Sequence, residues 1–416
     1  MSMPLAHGND SFAVSFVAPP RLERTTLAAI AFFALVFLVF VGLQPFVPPH
    51  SGAPLAAASA TDGDFTRQIF YLGIFAVVLV SAVQRRGLGA IRAMPLLLGL
   101  LLAWCLLSAF WATAHGVAFR RATLEAVLAL SILLSADTIG PERAFRYLRI
   151  VLAAILVVNW ISIPLVATAV HLPGEIDPGL VGDWRGLYGE KNAAGATCAL
   201  TALLFLFTRN GRYNWIGGLA AAASLAFLVM THSKTSLALF PVALLAGLAY
   251  RVSWRDGLSR TIFAAGAALL LLAAGAVLVT FSDGVSRILE DPAEFTGRAE
   301  IWQAYFAFVS DHPWLGAGFG AIGDSHDGYL QLLVTLGWVG FVLAMLGLVV
   351  EPLVRLWPLD YQHQGLKALL FALFVFIVLH NFMQSDFLAS DDGVWFSFLL
   401  VIAALRNPDK SLTLAP

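Results

Sequence analysis

The chain has 416 residues, 59% of them hydrophobic and 12% charged, whereas a soluble globular domain carries about 25% charged residues. An integral membrane protein fits that composition and a water-soluble domain does not. The formal net charge of −1 gives no reason to expect a nucleic-acid partner, and Cys105 and Cys198, both inside apolar runs, supply neither a disulfide framework nor a CxxC metal site.

Apolar runs of the length that crosses a hydrocarbon core, about 17 to 25 residues, recur along the whole chain. Uninterrupted runs of this kind predict helices rather than a barrel. Twelve spans are expected, centred near Phe33, Ala76, Leu102, Ala129, Leu156, Leu203, Leu225, Leu244, Leu271, Val339, Val375 and Leu400. The first run, Leu27 to Leu43, ends in "QPFVPPH" rather than at a small-residue cleavage site, so it reads as a retained helix or signal anchor. This divides the chain into an N-terminal segment 1–26, spans one to nine within 27–281, a large loop 282–326, spans ten to twelve within 327–406, and a tail 407–416. With the N-terminus in the cytoplasm, seventeen of the 25 basic residues fall in inside segments, as the positive-inside rule requires, and both termini are expected to be cytoplasmic.

Two outside loops stand out, His171 to Asn192 and Ser282 to His326, the second too long for a plain connector. Its stretch "TGRAEIWQAYFAFVSDHP" predicts a helix with Ile301, Trp302, Tyr305, Phe306, Phe308 and Val309 on a broad apolar side. Basic residues left outside near helix ends need a reason. Arg185 and Lys191 lie in "DWRGLYGEKNAAG", whose glycines at 186, 189 and 195 permit tight turns, and Asn192 is expected to cap the helix that follows. Lys234 lies in the short turn "THSKTS", and Arg298 opens the loop helix. Singly, each has an ordinary alternative as a snorkelling anchor. Together, Arg185, Lys191, Lys234 and Arg298 outline one outward cavity whose sensible ligand is phosphate or pyrophosphate, with His326 at its rim.

Other patterns carry less. Gly318, Gly320 and Gly323 have GxGxxG spacing without a strand before them, so loop glycine is the better reading. Ser325, His326 and Asp327 are consecutive, unlike the members of a catalytic triad, which converge in space. His380, with Asn381, Gln384 and Asp386 after it, suits interhelical hydrogen bonding or a proton path.

The segments "WRGLYGEKNAAG", "THSKTS", "TGRAEIWQAYFAFVSDHPWLGAGFGAIG" and "SHDGYLQLLVTLGWVG", in this order, resemble the motifs of the O-antigen ligase and Wzy polymerase superfamily, most nearly the bacterial exopolysaccharide polymerases. The resemblance covers about Trp184 to Gly340; the first five spans match only as generic hydrophobic helices. One departure is in "HNFMQSDFL", where relatives often have a glutamate after the asparagine and this chain offers Gln384, Ser385 and Asp386, which puts any role for that carboxylate in doubt. Another is Asp327, where relatives commonly have asparagine.

The resemblance implies an all-α glycosyltransferase of the membrane C-type (GT-C) class in the bacterial inner membrane, multi-pass, with a periplasmic catalytic loop and an active site facing the periplasm. It would be inverting and metal-independent, with no cofactor, and would pass a glycan from undecaprenyl pyrophosphate to an acceptor sugar hydroxyl during exopolysaccharide or O-antigen biosynthesis. Arg185, Lys191, Asn192, Lys234 and Arg298 would hold the pyrophosphate and glycan, with Arg298 also stabilising the developing charge. His326 would be the general base, a role suited to a side chain with a reference pKa near ~6.5. Partners implied are the lipid-linked donor, the acceptor glycan, a chain-length regulator and a flippase. A polymerase is the leading expectation. A ligase acting on lipid A core or protein shares the donor chemistry. A transporter fits less well, because the polar residues gather in outside loops rather than at mid-bilayer.

Overall fold

The computed structural model describes residues 22–46, 65–173, 175, 178–208, 214–252, 298–356 and 364–406. Among them the chain is helical, with no strand and one isolated bridge between Val170 and Trp184. In order the helices are α1 (Leu22–Val41), α2 (Phe65–Arg86), α3 (Leu96–Ser108), α4 (His115–Ile139), α5 (Pro141–Leu165), α6 (Lys191–Phe207), α7 (Asn214–Met230), α8 (Lys234–Val252), α9 (Arg298–Asp311), α10 (Gly328–Ala344), α11 (Gln364–His380) and α12 (Gly393–Arg406). A 3-10 turn, Gly87–Ala93, joins α2 to α3, and α10 runs on through a π-turn to Leu356. The expected span at Leu271, the loop residues 282–297, and the segments 1–21 and 407–416 lie outside the described residues. The other expected span centres all fall on helices, and α9 forms where the loop sequence predicts it.

Among the described residues four helices, α2, α4, α5 and the Gly328–Leu356 run, are long and apolar enough to cross a membrane, and six shorter helices are likewise apolar. This is an α-helical membrane protein, and its helices show two surroundings. Every residue of α12 from Val394 to Leu405 is buried, so a helix apolar all round forms the bundle's centre. On α2, Ile69, Phe70, Leu72 and Val80 are exposed. In water such a face would be a liability, whereas lipid tails are as apolar as leucine.

Hydrogen bonds sort the connections into two ends. At one, Phe46 N–H donates to the Leu187 carbonyl, Arg67 pairs with Asp391, Phe319 N–H donates to Ser108 Oγ, and Gly328 N–H donates to the Asn381 carbonyl. At the other, Arg86 pairs with Asp137, Arg149 donates to Thr208, and Arg406 donates to the Arg92 carbonyl. These are the two sets of connections that the sequence places on opposite sides. All the candidate site residues belong to the first end.

A break in α10 shapes that end. Gly337 has φ 65° and ψ −173°, interrupting the helical hydrogen-bond ladder. The freed backbone groups are taken up by the segment after α9: Trp338 N–H donates to the Pro313 carbonyl at 2.8 Å, while Ala317 and Gly318 N–H donate to the Val334 and Thr335 carbonyls, each at 2.9 Å. An apolar bundle leaves no water to satisfy such groups, so the break and the segment require each other. The glycine-rich stretch is therefore a packed loop, fastened also by Arg121 to the Gly320 carbonyl at 2.8 Å.

A methyl group on Gly337 would stand 2.2 Å from the Trp314 carbonyl oxygen. Gly337→Ala should therefore destabilise the protein by at least about 2 kcal/mol, read as a lower thermal midpoint in detergent. Gly73→Ala on α2, where nothing lies within 4 Å of the added carbon, should leave the midpoint unchanged or slightly raised.

Candidate functional site

His326 follows α9 and precedes α10, in the left-handed backbone region at φ 55°. A non-glycine residue there costs of order 1–3 kcal/mol and persists only where its surroundings hold it. They do so from both sides. Ser325 is buried, its N–H donating to Gln331 Oε1 at 2.9 Å and its carbonyl accepting from Trp302 Nε1 of α9 at 2.8 Å. Tyr305, one turn further along α9, donates to the Gly323 carbonyl at 3.0 Å. Asp327 caps α10, its Oδ1 accepting from the N–H groups of Tyr329 and Leu330 at 2.9 and 3.0 Å. Between these clamps the His326 side chain is 35% exposed, with Nδ1 3.4 Å from Asp324 Oδ2. Asp324 is thus the carboxylate beside the imidazole, and its Oδ1 also accepts from the His326 backbone N–H at 2.9 Å.

Lys191 and Lys234 are the first residues of α6 and α8. The expectation that Asn192 caps α6 is corrected: the cap position is Glu190, which makes no side-chain cap bond, and Asn192 already lies in the first helical turn. Its Oδ1 lies 3.2 Å from Ser233 Oγ instead. Gly195 allows this approach, because an added Cβ would stand 2.6 Å from Ser233 Cβ. The two helix starts are thus side by side. Lys191 Nζ meets Asp183 Oδ2 at 2.6 Å, and the other oxygen of Asp183 meets His232 Nδ1, also at 2.6 Å. His232 is a second histidine in the left-handed region, at φ 50°. Lys234 is exposed and forms no ion pair among the described residues.

Arg185 is placed differently from the expectation of an open anion ligand. It is 0% exposed, donating to both oxygens of Glu175 at 2.9 and 2.7 Å and through Nε to the Thr168 carbonyl at 2.7 Å. A further bond reaches the Gly189 carbonyl at 3.3 Å, so the guanidinium shapes the loop leading to Lys191. Arg298 opens α9, and its side chain lies outside the described residues.

A buried polar path runs inward from these helix starts. Ser233 Oγ is 3.3 Å from Ser236 Oγ, and Ser236 Oγ is 3.4 Å from His380 Nε2. His380 Nδ1 is 2.7 Å from Asp386 Oδ2, so Nδ1–H serves the carboxylate and Nε2 accepts from Ser236. The carboxylate left in doubt by the sequence thus has a definite partner. The next residues join the His326 loop: Gly328 N–H donates to the Asn381 carbonyl at 2.7 Å, and Ser385 Oγ lies 3.3 Å from Ser325 Oγ. One hydrogen-bonded network therefore links Asn192, the Ser233 turn, the end of α11 and the loop bearing His326.

Sequence reasoning passed over Asp183, His232, Glu175 and Ser236. The available signals were carboxylates in an outside loop beside retained cations, and a histidine confined between two helix ends in "THSKTS".

Residues 219–345 match the family model described as O-antigen ligase. The matched segment runs from α7 through the Ser233 turn, α9 and His326 to the end of α10. It supports the O-antigen ligase and Wzy superfamily, and the ligase or polymerase kind of enzyme in general. A search of curated proteins finds no match.

Burial works against ionisation of Glu175, but bonds from Arg185, the Leu172 N–H and His171 outweigh it and hold its carboxyl down at about 2. A depressed carboxyl contributes stability that is fully present above the ordinary glutamate range and lost as pH falls through the folded value. The wild-type thermal midpoint should accordingly fall between about pH 4.5 and about pH 2. Glu175→Gln should start lower at pH 7 and change less across that interval.

Proposed function

We propose that this protein is a polysaccharide polymerase. It takes a glycan from undecaprenyl pyrophosphate and passes it to the hydroxyl of an acceptor repeat unit at the periplasmic face of the bacterial inner membrane. The observation that carries this reading is the charge at the helix starts. A helix N-terminus is the positive end of its dipole and favours an acidic residue. Asp327 and Asp392 obey that rule at α10 and α12. At α6 the acidic residue in that position, Glu190, makes no cap bond, and the first residues inside α6, α8 and α9 are the cations Lys191, Lys234 and Arg298. Cations set on positive helix ends make sense where an anion completes the site, and free backbone N–H groups at the same place suit a pyrophosphate.

In this mechanism the cations take up the charge that grows on the leaving pyrophosphate as the bond from the anomeric carbon breaks. The acceptor hydroxyl attacks that carbon from the opposite side, inverting it. Its proton passes to the imidazole of His326, and undecaprenyl pyrophosphate departs. Asp183 is the counter-ion that holds Lys191 before the substrate arrives, and Arg185 keeps the loop in shape. Arg298 acts with the lysines, and Asn192 offers its amide to the donor. The rigid backbone at His326 keeps the base oriented, which matters because misplacement of a catalytic group by about 1 Å can cost 10²-fold.

The ligase reading shares this donor chemistry and is favoured by the description of the matched family. Both are tested in a strain lacking the chromosomal copy, complemented with wild type or His326→Ala, with polymer and lipid-linked intermediates resolved by size. Under the polymerase reading, His326→Ala at normal membrane levels should reduce polymer by about 10² to 10⁴-fold and leave single lipid-linked units. Long lipid-linked polymer lacking its acceptor would establish the ligase instead, and unchanged polymer would remove His326 from the role of base.

A further inference from the structure

His232 is a site-end histidine to which the function above gives no role. It stands in the turn between α7 and α8, between Thr231 and Ser233, both 0% exposed. The turn is fastened on both sides. Thr231 Oγ1 accepts from Ser233 N–H at 3.2 Å and donates to the Leu228 carbonyl at 2.7 Å, while the Met230 carbonyl accepts from Trp184 N–H at 3.1 Å, tying the turn to the loop that bears Asp183. From this base the imidazole projects outward, 60% exposed, with one nitrogen fixed: Nδ1 is 2.6 Å from Asp183 Oδ1. The other oxygen of Asp183 is 2.6 Å from the Lys191 ammonium, so the carboxyl is ionised and can only accept, which places a proton on Nδ1. Nε2 has no hydrogen-bond partner among the described residues. Lys191 likewise has donors to spare, since an ammonium carries three N–H groups and Asp183 takes one.

Resting on the function proposed above, we infer that His232 is a further ligand of the donor pyrophosphate, an imidazolium that keeps Nδ1–H on Asp183 and gives Nε2–H to a phosphate oxygen beside Lys191. The ammonium and the imidazole stand on the two oxygens of one carboxyl group, so an anion that reaches one is close to the other. Lys191, Lys234 and an imidazolium set against the single carboxylate of Asp183 leave two positive charges, which match a pyrophosphate diester with one negative charge on each phosphate. Stability alone does not account for a histidine here. An exposed ion pair contributes little, while a non-glycine residue in left-handed backbone costs of order 1–3 kcal/mol. Nor does the place suit the general base, because in-line attack puts the base opposite the pyrophosphate and His232 shares its carboxylate with a pyrophosphate ligand. A divalent cation needs several oxygen ligands, and among the described residues no group of three histidine, cysteine, aspartate or glutamate side chains gathers to hold one. The cavity of about 320 Å³ between α1, α2, α6 and α12, with Arg67, Asp391 and Asp392 in its wall, contains neither His232 nor the lysines, so the ligand belongs on the open side of this cluster.

The test uses the full chain in a phosphorus-free detergent, with inorganic pyrophosphate as probe. His232→Asn is the first variant, because asparagine tolerates left-handed backbone; His232→Gly, which adopts that backbone freely, is the second. Thermal midpoints at or above that of wild type establish that both are folded. Titration calorimetry should show pyrophosphate binding weakened by about tenfold in each. The contact itself is read by nitrogen–phosphorus dipolar dephasing in frozen samples with isotopically labelled histidine: an imidazole nitrogen dephased by pyrophosphate in wild type should be lost in His232→Asn. Unchanged affinity in both variants, or dephasing that survives in His232→Asn, would overturn the assignment. Lys191→Met separates this inference from the function beneath it. Binding weakened by Lys191→Met but not by the His232 variants removes only the role of His232, whereas no binding by wild type, or binding that Lys191→Met leaves unchanged, removes the pyrophosphate site and the role of His232 with it.

Discussion

The end of α11 is the hinge of the polar architecture. Asn381 is fully buried; its carbonyl accepts from Gly328 N–H, and its Oδ1 accepts from the N–H groups of Asp386 and Phe387 at 3.1 and 2.9 Å. In an apolar bundle every such group must find a partner inside the protein, so one residue, through its side chain and its carbonyl, holds the end of one helix, the turn after it and the start of another. His380, the residue before, reaches across to α8 through Ser236. The loop carrying His326 and the turn beside Lys234 are therefore anchored to adjacent residues, Asn381 and His380.

Strain and bracing come together at this end. Two histidines, His232 and His326, occupy left-handed backbone, His232 between the buried Thr231 and Ser233 and His326 beside the buried Ser325. For His326 the brace is α9, with Trp302 and Tyr305 bonded to loop carbonyls. For His232 it is Asp183, shared with Lys191. Asp183 thus couples a cation at a helix start to a turn between two other helices.

Two arginine–carboxylate pairs among the described residues of the site end illustrate how burial changes what a charge does. Arg185 is enclosed and spent on Glu175 and backbone carbonyls, so its charge is structural currency only. Arg67 and Asp391 are partly exposed at the cavity rim, where an ion pair contributes little to stability and more to the shape and polarity of a pocket.

Much of the fold was legible in the sequence because a membrane helix satisfies its own backbone. Apolar runs such as Leu96–Ser108 or Gly393–Arg406 announce themselves without reference to partners. The loop helix at Arg298–Asp311 was legible from its apolar side, and the interest of Lys191, Lys234 and Arg298 from their position at segment boundaries. What the sequence left open depends on residues distant along the chain. Asp183 and His232 lie 49 positions apart, and Ser236 and His380 lie 144 apart. Whether Arg185 faces a ligand or a carboxylate, which residue caps α6, and that Asp391 and Asp392 meet Arg67 in one cavity were decided only when the helices packed. Local pattern determines which segments become helices, because their hydrogen bonds close within a few residues. The pairing of charges at their ends is set by the packing, because it joins groups that the sequence keeps apart.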